Sequence, residues 1–209
     1  MEITKVLSAK SKKTTNKAVQ TIKKGGSVIC PTDTVYGLLV DAQNQKALKR
    51  LFQIKKRSFR KPIPVFVRDI NMAKKLAKIN KEQETFLKKI WPGKITVILL
   101  AKRLSWPQGI LSKDKKMGLR IPKYKLLNNL LKELNRPLTA TSANISGKPA
   151  SYKIKDVIAQ FENKKIKPDL ILDADNLKPS LPSTVIDLTD YKIIRKGEVD
   201  IKRILKSIK

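Results

Sequence analysis

Short apolar runs alternate with longer amphipathic stretches along the whole chain, and that alternation leaves few folds open. Strand-like runs read at Ser27–Cys30, Pro64–Val67, Ile95–Ala101, Met117–Ile121, Pro137–Thr141, Asp169–Leu172, Ser183–Leu188 and Tyr191–Ile194. Between them, residues 14–24 suit a first helix, capped by a threonine and ended by Gly25-Gly26. Further helices read at Asn44–Ile54, Ile70–Ile79, Glu82–Ile90, Tyr124–Leu134, Lys153–Phe161 and Val199–Ile208. Interleaved strands and helices predict one α/β domain over residues 1–209. Its sheet is open, twisted and mixed, with flanking helices and a hairpin near the end. No internal repeat or long linker divides the chain.

Composition narrows the function. Hydrophobic residues form 41% of the 209, enough for a core, and no apolar run nears the roughly 18 residues of a membrane helix. The start lacks the apolar region of a signal peptide, so a cytoplasmic protein is expected. A single cysteine, Cys30, excludes a disulfide framework and a cysteine-based zinc site. Histidine is absent, which removes imidazole bases, Ser-His-Asp schemes and histidine metal ligands. The formal charge of +30 reads in two ways, as a footprint for polyanions or as lysine spread over a solvated surface.

Five stretches carry candidate chemistry. Residues 31–36, Pro-Thr-Asp-Thr-Val-Tyr, set hydroxyls and a carboxylate at the end of a buried strand, either a site or a polar turn. Lys55, Arg57, Arg60 and Lys61 follow a helix. If the chain is extended there, Lys55 and Arg57 project together toward one anion; otherwise they are a solvated helix end that suits the macrodipole. Thr141, Ser142 and Asn144 offer neutral donors and acceptors, or cap a turn. Arg120, within an apolar strand, needs a partner: a buried carboxylate or, the reading we favour, that of a ligand. Ser183 and Arg195 stand at strand ends, where α/β sheets gather ligands. Neither a P-loop nor a Gly-x-Gly-x-x-Gly motif occurs.

Seven motifs in order resemble the YrdC/Sua5 family, the threonylcarbamoyl-adenylate synthases. They are Pro31 to Gly37; Lys55, Arg57 and Lys61-Pro62; Trp91 to Thr96; Arg120 to Pro122; Ser142 to Gly147; Ser183 to Val185; and Arg195 to Gly197. The resemblance covers about residue 14 onward. It implies the single-domain YrdC-like form, an open α/β fold with a concave basic face and no Sua5-type C-terminal domain.

That resemblance implies ATP, L-threonine and bicarbonate or CO2 as substrates. The product would be L-threonylcarbamoyladenylate, with diphosphate and water. A separate transferase complex would move the group to adenosine 37 of tRNAs that read codons starting with A. By resemblance, Lys55 and Arg57 are catalytic and, with Lys61, face the ATP phosphates; Asn144, Ser151 and Arg195 complete the nucleotide site. Thr32, Arg120, Ser142 and Ser183 would hold threonine, Tyr36 and Thr141 would line the pocket, and Mg²⁺ would travel with the phosphates. Asp33 occupies an acidic position of the family whose role, structural or metal-related, stays open. Phe66 stands where Sua5-type members often carry histidine, and Lys94 replaces a usual proline. The competing reading is a non-catalytic RNA-binding module of the same fold. The related domain of hydrogenase-maturation carbamoyltransferases is a further rival, but it sits in much longer chains.

Overall fold

The structure, a computed structural model, describes residues 5–9 and 11–200. In chain order it contains β1 (Lys5–Ser8), α1 (Lys12–Lys23), β2 (Val28–Cys30), β3 (Gly37–Leu39), α2 (Gln45–Lys55) and β4 (Val65–Phe66). There follow α3 (Ile70–Leu76), α4 (Lys81–Ile90), β5 (Ile95–Leu100), β6 (Lys116–Arg120), α5 (Lys125–Leu134) and β7 (Leu138–Thr139). Last come β8 (Thr141–Ser142), α6 (Ile154–Phe161), β9 (Leu170–Asp173), β10 (Thr184–Asp187) and β11 (Lys192–Arg195). The interleaved α/β class is as expected. Strands β1 and β3 were not anticipated, and residues 201–208 of the expected final helix lie outside the described residues.

The strands divide into two mixed sheets, ordered β1-β9-β2-β3-β8 and β11-β10-β5-β6-β4-β7. The run expected as one strand, Pro137–Thr141, is where the division occurs. Leu138 and Thr139 pair with β4 at one sheet's edge; Thr141 and Ser142 pair with β3 at the other's. Only Ala140 lies between them, its N–H donating to Pro64 O at 2.7 Å.

Alternation of side chains along a strand explains the layers. Val28, Cys30, Leu39, Leu170 and Leu172 face a cluster with Ala18, Val19 and Ile22 of α1 and Leu127, Leu130, Leu131 and Leu134 of α5. Ile29, Leu38 and Ile171 point the other way, into the larger cluster shared with α2 and the second sheet. Burial raises the Cys30 thiol well above its ordinary value, so it serves as an inert small hydrophobe.

Caps set the helix starts. Ser11, not a threonine, caps α1, with its side chain accepting from Lys13 N; Thr14 and Thr15 are buried one turn in. Asn44 caps α2, and Asn80 with Gln83 forms a capping box on α4. Among the described residues, no helix is long and apolar enough to cross a membrane.

Asp169 ties the start of β9 to the turn before β2. Its Oδ2 accepts from Ser27 N at 2.7 Å, from Ser27 Oγ at 2.8 Å and from the Arg50 guanidinium. Burial opposes its ionisation, but the Arg50 and Ser27 donors prevail and hold the carboxyl below 3.8. A depressed carboxylate stabilises the fold above its unfolded value and loses that contribution as pH falls through the folded one. Asp169→Asn should therefore lower the melting midpoint at pH 7 by roughly 3–8 °C. Thermal scans down to about pH 3 should show the two proteins converging; a constant gap would remove the ionised carboxylate from the explanation.

Candidate active site

The register of the second sheet places five side chains in one row. Phe66 pairs with Arg120; Thr96 stands opposite Arg120, one step from the Val97–Leu119 pair; Val185 pairs with Thr96 and, across a register shift between Val185 and Ile186, with Arg195. Because the pleat alternates, Ile95, Val97, Met117, Leu119 and Ile186 enter the core while this row faces out. All five of its residues line one cleft of about 260 Å³. The hairpin loop between β2 and β3 contributes Thr32, Thr34, Val35 and Tyr36 to the walls, and β8 contributes Thr141 and Ser142. The seam between the sheets thus becomes the cleft.

Three arginines meet there, and each is anchored alike. Arg57 donates from Nε to Lys61 O at 3.0 Å and from Nη2 to Pro62 O at 3.3 Å. Arg195 donates from Nε to Ser183 O at 3.1 Å, and from Nη2 to Ser183 O at 2.8 Å and Ser183 Oγ at 3.1 Å. Arg120 donates from Nε to Gly93 O at 2.9 Å and from Nη2 to Asp33 Oδ1 at 2.6 Å. In every case Nη1 has no protein partner among the described residues. Among the described residues, no carboxylate lines the cleft. Burial lowers the pKa of all three guanidiniums, and Arg120 adds to the effect on Arg195, as expected where positive charges share a confined space. Rigid forks with a free nitrogen are suited to carboxylate or phosphate.

Hydroxyls surround the arginines. Ser183 Oγ lies 3.0 Å from Thr96 Oγ1. Thr32 Oγ1 donates to Val35 O at 2.6 Å and accepts from Thr34 N at 3.1 Å, which fixes the hairpin loop. Ser142 Oγ donates to Asn144 Oδ1 at 2.6 Å. Tyr36 lines the cleft with its ring. Its hydroxyl is engaged outside it, donating to Asp175 O at 2.7 Å and accepting from Ala174 N at 3.0 Å, and burial pushes its pKa up to about 12.

The cleft therefore gathers Thr32, Tyr36, Arg57, Arg120, Thr141, Ser142, Ser183 and Arg195. Four expected residues stand elsewhere. Lys55 does not project beside Arg57, because Lys56 adopts a left-handed conformation (φ 49°) that ends α2 and breaks the extended geometry. Lys55 is instead 2% exposed, its Nζ donating to Ser142 O, to Asn144 O at 2.8 Å and to Asn144 Oδ1 at 3.1 Å. Burial, reinforced by Arg57, lowers its pKa to about 7. Asn144 also turns inward, donating to Ile145 O and Lys148 O. Lys61 is exposed and contributes its carbonyl to Arg57. Ser151 Oγ donates to Asp156 Oδ2 at 2.8 Å and accepts from Lys153 N at 2.9 Å, at the start of α6. Thr96, Thr34, Pro182 and Val185 line the cleft without having been singled out as binding residues. A threonine inside the apolar run Ile95–Leu100 was the available signal for the first. Among the described residues, no group of three or more acidic or cysteine side chains gathers to hold a metal ion.

Fold and cleft together define an α/β protein with an arginine-lined cleft, suited to a small anion, at the seam of two sheets. The Sua5/YciO/YrdC family model, described as telomere recombination, matches residues 20–197. A Methanocaldococcus jannaschii protein is 37% identical over 187 residues, 88% of this chain and 86% of that one. Threonylcarbamoyl-AMP synthase of Pyrococcus abyssi is 33% identical over 190 residues, 90% of this chain. This chain spans only 55% of that enzyme's length. The crystal structure of Pyrococcus abyssi Sua5 complexed with L-threonine superposes with a TM-score of 0.86 at 31% identity, covering 99% of this chain and 60% of the other. The chain belongs to the Sua5/YciO/YrdC family.

Gly197, having no side chain, lets the chain pass close against the 182–184 segment whose Ser183 anchors Arg195. A Cβ there would lie 2.1 Å from Pro182 O, 2.5 Å from Thr184 N and 2.6 Å from the carbonyl carbon of Ser183. Overpacking of this kind typically costs about 1–3 kcal/mol. Gly197→Ala should lower the melting midpoint by several degrees and weaken pyrophosphate binding, measured by calorimetry, at least fivefold. Unchanged binding would show that the Ser183–Arg195 contact does not matter for the anion site.

Proposed function

We propose that this chain is a threonylcarbamoyl-AMP synthase, acting as a single YrdC-like domain. It joins L-threonine, bicarbonate and ATP into L-threonylcarbamoyladenylate, with diphosphate and water as co-products. The observation that carries the reading is the set of three anchored guanidiniums, each with a free Nη1, around a hydroxyl-lined cleft. At about 260 Å³ the cleft falls just under the usual range of small-molecule pockets, roughly 300–1,000 Å³. It suits the amino acid inside, with the larger nucleotide lying across the open side.

In this reading Arg120 receives the threonine carboxylate, and Thr32, Ser142 and Ser183 hold its polar groups. Bicarbonate loses water to give CO2; the neutral threonine amine attacks it and releases a proton to form a carbamate, whose oxygen then attacks the α-phosphorus of ATP while diphosphate leaves. Arg57 and Arg195 stabilise the charge that shifts onto the leaving group; no titrating imidazole is needed because the catalysis is positioning and electrostatics. Mg²⁺ would accompany the ATP phosphates and offset their charge, and among the described residues no acidic or cysteine cluster gathers to hold it. Lys55 and Asn144 act from below, by fixing the Ser142 loop. The adenylate, a mixed anhydride, then passes to a transferase acting on tRNA.

The formal charge of +30 favours a second role, in which the lysine-rich surface holds the phosphate backbone of RNA. Such binding should collapse between 50 and 200 mM salt, as counterion release requires, whereas threonine binding should not.

The decisive assay incubates the protein with ATP, Mg²⁺, bicarbonate and L-threonine and detects the adenylate by mass spectrometry. Product that needs both threonine and bicarbonate is expected; no product, with ATP and threonine both failing to bind, overturns the proposal. Arg57→Ala should abolish product with the melting midpoint within about 3 °C of wild type. Arg120→Ala should raise the KM for threonine at least tenfold and that for ATP less than threefold. Equal effects on the two substrates would argue against a carboxylate clamp.

A further inference from the structure

We infer that Asp33 is a positioning residue for the Arg120 clamp, setting the free edge of the guanidinium toward the cleft and balancing its charge. Both carboxylate oxygens are committed to the strand end that carries Arg120. Oδ1 accepts from Arg120 Nη2 at 2.6 Å and Oδ2 from the backbone N–H of Lys123 at 3.0 Å. The side chains of the pair are 5% and 7% exposed. Both oxygens are turned to the strand end, and among the described residues no acidic or cysteine cluster gathers to hold a metal ion, so the geometry favours the organising role of Asp33.

Three contacts from different directions define the Arg120 plane. Gly93 O takes Nε, Asp33 takes Nη2, and the Phe66 ring lies 5.7 Å from the guanidinium carbon. Nη1 is what remains, and the residue lines the cleft. Asp33 belongs to the same six-residue hairpin loop, 31–36, as Thr32, so one loop sets both a hydroxyl wall and the orientation of the clamp. Arg195 lies in the same row, and its charge repels that of Arg120. The Asp33 carboxylate offsets this repulsion without facing the ligand.

The inference rests on the synthase reading, in which Arg120 meets the threonine carboxylate. The test measures threonine and ATP binding separately by calorimetry for the wild type, Asp33→Asn, Arg120→Ala and the double variant. Asp33→Asn keeps the shape and removes the charge; it should weaken threonine at least tenfold and ATP less than threefold. In the Arg120→Ala background, Asp33→Asn should leave threonine affinity unchanged and raise the melting midpoint, because it relieves a buried carboxylate left without its partner. A purely architectural role would instead weaken both ligands alike, or add its effect to that of Arg120→Ala, and either result overturns the inference. Unchanged threonine binding in Asp33→Asn overturns it while leaving the synthase reading intact. A wild-type protein that binds ATP but no threonine would remove the synthase reading and the inference together.

Discussion

The two-residue period of the second sheet is the constraint on which the cleft depends. Phe66, Arg120, Thr96 and Val185 share a face because four strands pair in one register, and a register shift between Val185 and Ile186 brings Arg195 opposite Val185 on the fifth. A slip of one residue would send Arg120 into the hydrophobic core and Leu119 into the cleft. The core residues of the intervening positions, Val97, Leu119 and Ile186, hold that register, since each is fully buried. Packing and function are therefore set by the same alternation. Gly118 fits this account: it occupies the outward face two residues before Arg120, where a Cβ would come within 2.9 Å of Pro64 Cβ.

The wall opposite that row is held by a buried cation. Lys55 donates to three oxygens of the 142–144 segment, and Ser146 N donates to Lys55 O at 2.8 Å. An ammonium supplies three protons, so these acceptors match the charged form, while burial and Arg57 oppose it and bring the pKa to about 7. Between about pH 7 and the ordinary lysine value, the unfolded chain binds the extra proton and the folded chain does not. The cost of burying this group thus falls as pH rises through that window. Loss of the proton also leaves two donors for three acceptors. The Ser142 loop is then held less firmly as the fold gains stability, and the two effects act in opposite directions.

Local chemistry made much of the fold and the three arginines of the cleft readable. Apolar runs and amphipathic periods located six helices and most strands; hydroxyl or basic residues at strand ends marked Thr32, Ser142, Ser183 and Arg195, and a basic cluster at a helix end marked Arg57. What could not be read depends on non-local or backbone events. The chain changes sheets at Ala140 inside a run whose composition is that of one strand. Lys56 adopts a conformation usually given to glycine, so nothing in the residue type announces that Lys55 and Arg57 diverge. Arg120 and Asp33 are 87 residues apart, and their pairing shows that the two readings of Arg120, buried partner and ligand clamp, are compatible.

That compatibility follows from the geometry of guanidinium. A lysine in the same place could be neutralised by Asp33 or offered to a ligand, but its point charge has no separate edges. Arginine divides the tasks: Nε and Nη2 satisfy the buried framework, and Nη1 serves the cleft. The same division recurs at Arg57, held by Lys61 O and Pro62 O, and at Arg195, held by Ser183. In a chain with 47 lysines and arginines, the cleft-lining cations are all arginines. In the proposed synthase, which has no histidine, shifting negative charge must be stabilised through groups that stay charged and stay put. Anchored guanidiniums do both, because their orientation is fixed before any ligand arrives.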